Sequence, residues 1–412
     1  MTFEQRFERD LPQILDDIAM GTYPDYIDGV LGTTATRRQR PRWTFLERWL
    51  PMSVITLVPR STRPVPWRLL GTLAALALVL AIAVVAYVGS QNRLPAPFGL
   101  ASNGLVAYTQ DGDILTVDPG TGERSWITSG NEVDREARWS LDGTRLAFLR
   151  GLPLGTPVPR QPAATVVIVD RAGKVVAKSS PIARIDIDAF AWSPDGRSIA
   201  TGGDSVLSLV DARNGAVTRL EVGYLDLDVY WRPGDRREIL FHGMTPGGGR
   251  GLVVADVDDP DDVRLLVPES PDEALRPNGW TPDGRRLVYT KLDGSLDILR
   301  LHVLDLTTGN DVEIDAAHGH VSNDGSRILA LNADGACVVS IDGGPCEQIA
   351  PPDRAYSGGF ASGAQWAPDD AWILIRETDG QGRAFLLDPN RGMDRTPTWA
   401  ESGGESWQRR AR

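Results

Sequence analysis

The phrase Ala191-Trp192-Ser193-Pro194-Asp195-Gly196 decides the fold, because the chain repeats variations of it. Six copies have their anchor residue at positions 139, 192, 231, 280, 321 and 366, with spacings of 39 to 53 residues. Within the phrase, Pro presets φ, Asp accepts hydrogen bonds from the turn, and Gly adopts positive φ, so each copy encodes a tight turn. A period of this length predicts small units that stack on their neighbours, as in solenoids and propellers.

Each unit contains the pattern of a four-stranded blade. After the turn comes an apolar β run such as 198–200, then a second run such as 206–211 and a short outer strand such as 217–220. A degenerate seventh copy covers residues 104–127, and the fragment 397–400 repeats only the first strand. Such a fragment suits ring closure, since it completes the first blade. We therefore predict an all-β fold with a seven-bladed β-propeller, with six or eight blades as alternatives.

These repeats resemble the TolB-type, WD-like bacterial β-propeller family, whose repeats combine Trp-Ser-Pro-Asp-Gly with a following apolar triplet. The resemblance covers roughly residues 98–402 and implies the fold. Propellers of this type serve as binding platforms, as partners of membrane complexes and as non-catalytic halves of peptidases. The resemblance therefore implies a range of functions.

The composition divides the chain into five segments. We predict a helical cytoplasmic juxtamembrane region (1–66), a transmembrane helix (67–89), a linker (90–97), the propeller (98–403) and a C-terminal tail (404–412). Residues 69–88 are apolar and contain no Asp, Glu, Lys or Arg over a length that spans a bilayer. Eight arginines precede this stretch between residues 37 and 68, against one acid. The positive-inside rule then predicts a single-pass protein of the cell membrane, with its N-terminus cytoplasmic and its propeller extracytoplasmic.

Two hypotheses describe residues 1–66. In one, the arginines and tryptophans of this region lie on anionic lipid headgroups and only fix the topology. In the other, its short helical patterns form a module that binds a cytoplasmic partner such as a sigma factor. Residues 1–68 contain no His or Cys, so the second hypothesis applies only to a zinc-free module.

The two cysteines, Cys337 and Cys346, flank a predicted strand–turn–strand segment. A turn centred between Ile341 and Asp342 places them opposite each other, and an extracytoplasmic location favours a disulfide over two buried free thiols. The formal net charge of the chain is −12. This acidity argues against nucleic acid as a partner and leaves cations or basic surfaces as candidates.

Acidic and histidine residues recur where the chain approaches the predicted inner strands. We predict that they meet at one mouth of the central channel, where propellers commonly bind ligands. The candidate ligand-binding residues are Glu136, Asp186, Asp188, Asp226, Asp228, Asp272, His318 and His320. Gathered carboxylates suit Ca²⁺ or a basic peptide, whereas scattered acids would only keep the domain soluble. We predict no dedicated metal site and no cofactor other than Ca²⁺.

The chain has no His-Glu-x-x-His, Gly-x-Ser-x-Gly or Walker motif, and no nucleophile–base pair emerges from the sequence. We therefore predict a protein that is not an enzyme. The predicted function is a membrane-anchored, non-catalytic binding or sensing module for protein, peptide or envelope ligands. The alternative is a transmembrane anti-sigma-like regulator whose residues 1–66 bind a cytoplasmic transcription factor.

Overall fold

Seven antiparallel sheets follow one another along the chain, and the last strand returns to the first sheet. The computed structural model describes residues 71–79, 94–151, 163–182, 185–203, 206–220, 222–293, 299–332, 335–350, 364–376, 384–390 and 406–412. The described side chains do not include those of residues 186–189 and 224–227, among others. The sheets are the blades of a β-propeller, so the predicted all-β fold and the count of seven blades are confirmed.

The strands of the blades, in chain order, are as follows. Blade 1 contains β1 (Ser102–Gln110), β2 (Asp113–Val117), β3 (Arg124–Trp126) and the C-terminal β27 (Ser406–Arg410). Blade 2 contains β4 (Asp134–Trp139), β5 (Arg145–Arg150), β6 (Thr165–Asp170) and β7 (Val175–Lys178). Blade 3 contains β8 (Ile185–Trp192), β9 (Ser198–Gly203), β10 (Val206–Asp211) and β11 (Val217–Leu220). Blade 4 contains β12 (Gly223–Trp231), β13 (Glu238–Met244), β14 (Arg250–Asp256) and β15 (Asp259–Pro268).

Blade 5 contains β16 (Glu273–Trp280), β17 (Arg286–Asp293), β18 (Leu299–Asp305) and β19 (Asp311–Ile314). Blade 6 contains β20 (His318–Val321), β21 (Arg327–Asn332), β22 (Gly335–Ser340) and β23 (Glu347–Ala350). Blade 7 has three described strands, β24 (Ala364–Trp366), β25 (Ile373–Arg376) and β26 (Ala384–Leu387). The inner strands, which face the axial channel, are β27, β4, β8, β12, β16, β20 and β24. We call the two ends of this channel the start end, where inner strands begin, and the turn end, where the repeated turns follow them.

The anchor tryptophans join neighbouring blades. Each of the five that head a repeat is at most 8% exposed, because its indole fills the space between two stacked sheets. The indole N–H groups of Trp192, Trp231 and Trp366 donate to the carbonyl oxygens of Arg138, Ala191 and His320 at 2.9, 3.1 and 2.8 Å. In each case the acceptor is the residue before the anchor position of the preceding blade. The repeat therefore encodes the contact between blades as well as the turn.

The repeated aspartates hold the turns. The Ser193 hydroxyl donates to Asp195 Oδ1 at 2.6 Å, and the Arg197 backbone N–H donates to the same oxygen at 3.0 Å. Equivalent bonds surround Asp142, Asp283 and Asp324. Burial raises the pKa of Asp195, but the hydrogen bonds from Ser193 and Arg197 outweigh it and leave this pKa below its ordinary value. The charged form of each turn aspartate is thus part of the fold.

Strand β27 closes the ring. It pairs with β1, with Trp407 opposite Val106, and Trp407 is 3% exposed. The Ser406 hydroxyl accepts a hydrogen bond from the Trp139 backbone N–H at 3.0 Å, and the Gln408 amide donates to the Gly143 carbonyl at 2.7 Å. The last strand therefore binds both blade 1 and blade 2, and no inner edge is left open between them.

The closing strand differs from the fragment proposed from sequence. Ser406–Arg410 lies in the range assigned to a C-terminal tail, whereas the fragment 397–400 lies outside the described residues. Thr398-Trp399 and Ser406-Trp407 both place Trp after a hydroxyl residue, and neither is followed by the Pro-Asp-Gly turn. The repeat pattern therefore gave no basis for choosing between them.

Cys337 and Cys346 form a disulfide in blade 6, with their Cα atoms 5.5 Å apart. The register differs from the predicted one, since Cys337 lies opposite Gln348. The residues between the two strands form a wider connection, in which Gly343 and Gly344 both have positive φ. The bridge links β22 to the segment that leads into β23.

The N-terminal part is described only at residues 71–79, which are helical and exposed. Most of the predicted transmembrane helix (67–89) and all of the region 1–66 lie outside the described residues. Within the part of the chain that is described, no helix is long and apolar enough to cross a membrane.

Candidate functional site

The inner strands of blades 2 to 5 are irregular. The pairing register shifts between Arg135 and Arg138 in β4, between Ile185 and Phe190 in β8, and between Pro277 and Gly279 in β16. Strand β12 has similar shifts. Such bulges re-aim side chains and are common beside active sites. Glu136, inside the first bulge, has a φ of 57°, a left-handed conformation that is uncommon for residues other than glycine.

The candidate acids lie on or next to these strands in blades 2 to 5. Glu136 forms an ion pair with Arg138 at 3.3 Å, and Asp228 is buried at 7% exposure. Asp186, Asp188 and Asp226 lie within β8 and β12 rather than before them, and their side chains lie outside the described set. Asp272 is exposed in the turn that precedes β16. Glu136, Asp228 and Asp272 do not form a group of three with ligand atoms within 4.8 Å of one another among the described residues, and the predicted carboxylate cluster stays a prediction.

The two candidate histidines share one inner strand, and a cation lies near the first of them. His318 and His320 are both on β20, two residues apart, so their side chains lie on the same face of that strand. Arg276, on the neighbouring inner strand β16, lies close enough to His318 to affect its titration. Burial lowers the pKa of His318 to about 4, and the charge of Arg276 adds to this effect. Burial likewise lowers the pKa of His320 to about 4, with a smaller contribution from His318. Both imidazoles are therefore neutral at pH 7.

A buried hydrogen-bond chain fixes these two strands against each other. The Asn278 amide donates to the Thr290 hydroxyl at 2.8 Å, and the Thr290 hydroxyl donates to the Ala317 carbonyl at 2.9 Å. Thr290 is fully buried. Because Ala317 immediately precedes His318, these two hydrogen bonds set the position of β20 relative to Arg276. Sequence reasoning missed Arg276 and Asn278, since neither belongs to a repeated or motif-like pattern.

Three carboxylates meet elsewhere, in blade 4, but they do not form a metal site. Ligand oxygens of Glu238, Asp256 and Asp262 lie within 4.8 Å of one another, the one such group of His, Cys, Asp or Glu among the described residues. Arginines fill the space between them: Arg236 contacts all three acids at 2.8 to 3.3 Å, and Arg264 contacts Glu238 and Asp262. The cluster is therefore an ion-pair network that is neutralised within the protein.

Comparisons with known proteins identify the fold alone. No protein-family model and no curated protein matches the chain. An oligogalacturonate lyase in complex with manganese is 16% identical, covers 72% of this chain and 89% of its own, and has a TM-score of 0.53. An oligogalacturonate lyase from Vibrio parahaemolyticus is 14% identical, with 72% and 90% coverage and a TM-score of 0.52. TolB from Acinetobacter baumannii is 15% identical, with 74% and 81% coverage and a TM-score of 0.42.

These similarities correct three predictions. The non-catalytic binding or sensing module, with its anti-sigma-like alternative, and the prediction that the protein is not an enzyme are wrong, because the similar structures include lyases, which are enzymes. The prediction of no cofactor other than Ca²⁺ is wrong as well, because one of those structures contains manganese. The absence of a local motif did not exclude an enzyme, because a propeller can assemble a site from single residues on different blades.

The described residues of this chain fit a manganese ion poorly at the histidine pair. His318 and His320 provide two neutral nitrogen donors, but no described Asp, Glu, Cys or third His lies near enough to complete a set. The charge of Arg276 beside His318 also opposes a second cation there. A manganese site in this channel therefore needs at least one ligand beyond the described His, Cys, Asp and Glu side chains, and we derive no chemical step through the ion.

Proposed function

We propose that this protein is an enzyme that cleaves an acidic oligosaccharide by β-elimination in its axial channel. The observation that carries the proposal is the group formed by Arg276, His318 and His320, which combines a fixed positive charge with two neutral imidazoles. The names of the similar lyases supply the substrate class, a sugar chain that carries carboxylates.

The proposed reaction uses each member of this group. Arg276 binds the carboxylate of a uronate and stabilises the negative charge that develops when the adjacent carbon loses its proton. His318, next to Arg276, accepts that proton as the general base. The bound carboxylate raises the pKa of His318, because it offsets the charge of Arg276.

The electrons of the broken C–H bond form a C=C bond to the neighbouring carbon. The glycosidic C–O bond of that neighbouring carbon breaks. The imidazolium of His318 returns its proton to the departing oxygen, so the two products together contain the atoms of the substrate and no water is added. His320 lies two residues further along β20 and borders the path of the substrate toward the turn end of the channel.

The experiment is a cleavage assay with purified protein and a panel of uronate oligosaccharides, in the presence and absence of Mn²⁺. The unsaturated product is followed by its ultraviolet absorbance. We expect activity in the wild type and a loss of at least about 100-fold in His318→Gln, in line with removal of a general base. Arg276→Gln is expected to lower kcat/KM to a similar extent.

His302→Gln is the matched control, because His302 is a buried histidine of blade 5 that binds Asp311 and stacks on Tyr289, and it does not line the channel cavity. Its kcat/KM is expected to equal that of the wild type once folding has been verified by circular dichroism. Equal activity of His318→Gln and the wild type would refute the assignment of His318.

We also propose that residues 67–89 anchor the protein in the cell membrane and that the propeller is extracytoplasmic. The uncharged stretch 69–88, the arginines before it and the Cys337–Cys346 disulfide support this arrangement. We expect the full chain to stay in the membrane fraction after alkaline carbonate extraction, and a chain that begins at residue 90 to be released. Release of the full chain by carbonate would contradict the anchor.

A further inference from the structure

A cavity of about 260 Å³ lies at the turn end of the axial channel, between the inner strands of blades 4 to 7. Tyr230, Asn278, Trp280, His320 and Gln365 contribute to its wall, together with Phe98 from the segment before blade 1. No Asp, Glu, Lys or Arg of the described chain lines it. Since His320 is neutral at pH 7, the wall carries no charge.

Trp280, which lines this cavity, has an unsatisfied indole donor. Trp231 and Trp366, which also line it, donate their indole N–H groups to the preceding blade. The equivalent acceptor for Trp280 would be the Tyr230 carbonyl, but the Trp280 N–H is buried and has no partner among the described residues. A buried donor without a partner destabilises the free protein, so an acceptor atom of a ligand would be bound favourably here.

Two amides complete the polar part of the wall. The Asn278 NH₂ group donates to Thr290, which leaves the Asn278 side-chain oxygen as an acceptor. The Gln365 side-chain oxygen accepts from the Trp407 backbone N–H at 3.2 Å, which leaves the Gln365 NH₂ group as a donor. Aromatic rings with interspersed neutral donors and acceptors match the chemistry of a pyranose, which has apolar C–H faces and equatorial hydroxyls.

We propose that this cavity binds one uncharged pyranose unit. Because His320 borders both the cavity and the Arg276–His318 pair, the preferred oligosaccharide carries a neutral sugar next to the uronate that is cleaved. The position of this neutral sugar next to the cleaved uronate rests on the proposed lyase function. The binding of a neutral sugar in the cavity does not. A carboxylate is disfavoured in the cavity, since it would lose its hydration without gaining a counter-charge.

The test is calorimetric titration of the full chain with methyl β-galactopyranoside and with methyl β-galactopyranosiduronate, which share one ring and differ in charge. We expect Trp280→Phe, which keeps an aromatic ring and removes the N–H, to weaken binding of the neutral glycoside about fivefold to tenfold. Trp139→Phe is the matched control, because Trp139 also has a buried N–H without a described partner and does not line the cavity. It is expected to bind as the wild type does.

Asn278→Ala is a second variant in case Trp280→Phe does not fold, and it is expected to weaken binding of the neutral glycoside too. Failure of the neutral glycoside to bind, or equal binding by all variants, would overturn the inference. If the neutral glycoside binds as expected but no uronate oligosaccharide is cleaved, the lyase function fails and the sugar site stands. If cleavage occurs and no neutral glycoside binds, the sugar site fails alone.

Discussion

Replacement of Trp407 by Ala tests whether the C-terminal strand closes the propeller. Trp407 is 3% exposed and packs with Val106, Tyr108 and Leu374, which belong to blades 1 and 7. A buried Trp removes about 150–250 Å² from water, which at about 25 cal/mol per Å² corresponds to roughly 4–6 kcal/mol. Since Ala retains a small part of that area, we expect Trp407→Ala to lower the free energy of unfolding by about 3–5 kcal/mol.

The measurement is urea denaturation followed by tryptophan fluorescence, with the midpoint and slope fitted for each variant. Trp126→Ala is the control, because Trp126 lies in β3 of the same blade and is 57% exposed. We expect a change of less than about 1 kcal/mol for this variant. If Trp407→Ala and Trp126→Ala had the same midpoint, Ser406–Arg410 would not be the strand that closes the ring.

Three further predictions concern stability. Gly143→Ala is expected to destabilise the fold by more than about 3 kcal/mol in the same denaturation assay, because Gly143 has a φ of 65° and its new Cβ would overlap the Arg409 carbonyl oxygen. Gly122→Ala is the control for backbone strain alone, because Gly122 has a φ of 74° and open space around the new Cβ. It is expected to lower the free energy of unfolding by about 1 kcal/mol. Equal losses of stability in the two variants would exclude the overlap with Arg409 as the cause. The folded-state pKa values of about 4 for His318 and His320 lie below the value of 6.5 for a free histidine, so the unfolded chain binds more protons between these limits. The stability that each neutral, buried histidine contributes is therefore fully present above pH 6.5 and decreases toward pH 4, by at most about 3 kcal/mol for each histidine. This decrease in the free energy of unfolding should be smaller in His318→Gln. An identical pH profile for that variant would contradict the burial of His318. Removal of the disulfide by Cys337→Ala and Cys346→Ala together is expected to lower the unfolding free energy by about 2–3 kcal/mol, because the bridge closes a short loop, and unchanged stability under oxidising conditions would argue against the bridge.

The repeats made the architecture predictable from sequence. The Trp-Ser-Pro-Asp-Gly phrase specifies an anchor between blades, a turn and the start of the next strand, so each copy carries its own evidence for one blade. The closing strand was not located correctly, because Ser406–Arg410 lacks the turn that marks the other copies. Its position depends on long-range contacts with Val106 and Gly143, which leave no local pattern.

The candidate site was only partly predictable. His318 and His320 attracted attention because histidine is rare in this chain, and His320 lines the cavity between the inner strands of blades 4 to 7. Arg276 was missed, since it is one of many arginines and only the packing of β16 beside β20 shows that it affects His318. The neutral state of the histidines also depends on burial, which no spacing in the sequence indicates.

The most direct test of the proposed function is the mass of the products formed from a uronate oligosaccharide of defined length. Elimination gives two products whose masses add up to that of the substrate, and the one that carries the C=C bond takes up no ¹⁸O when the reaction is run in H₂¹⁸O. The account predicts this result for the wild type and its loss in His318→Gln. Products that contain one added water, or the absence of cleavage with and without Mn²⁺, would contradict it.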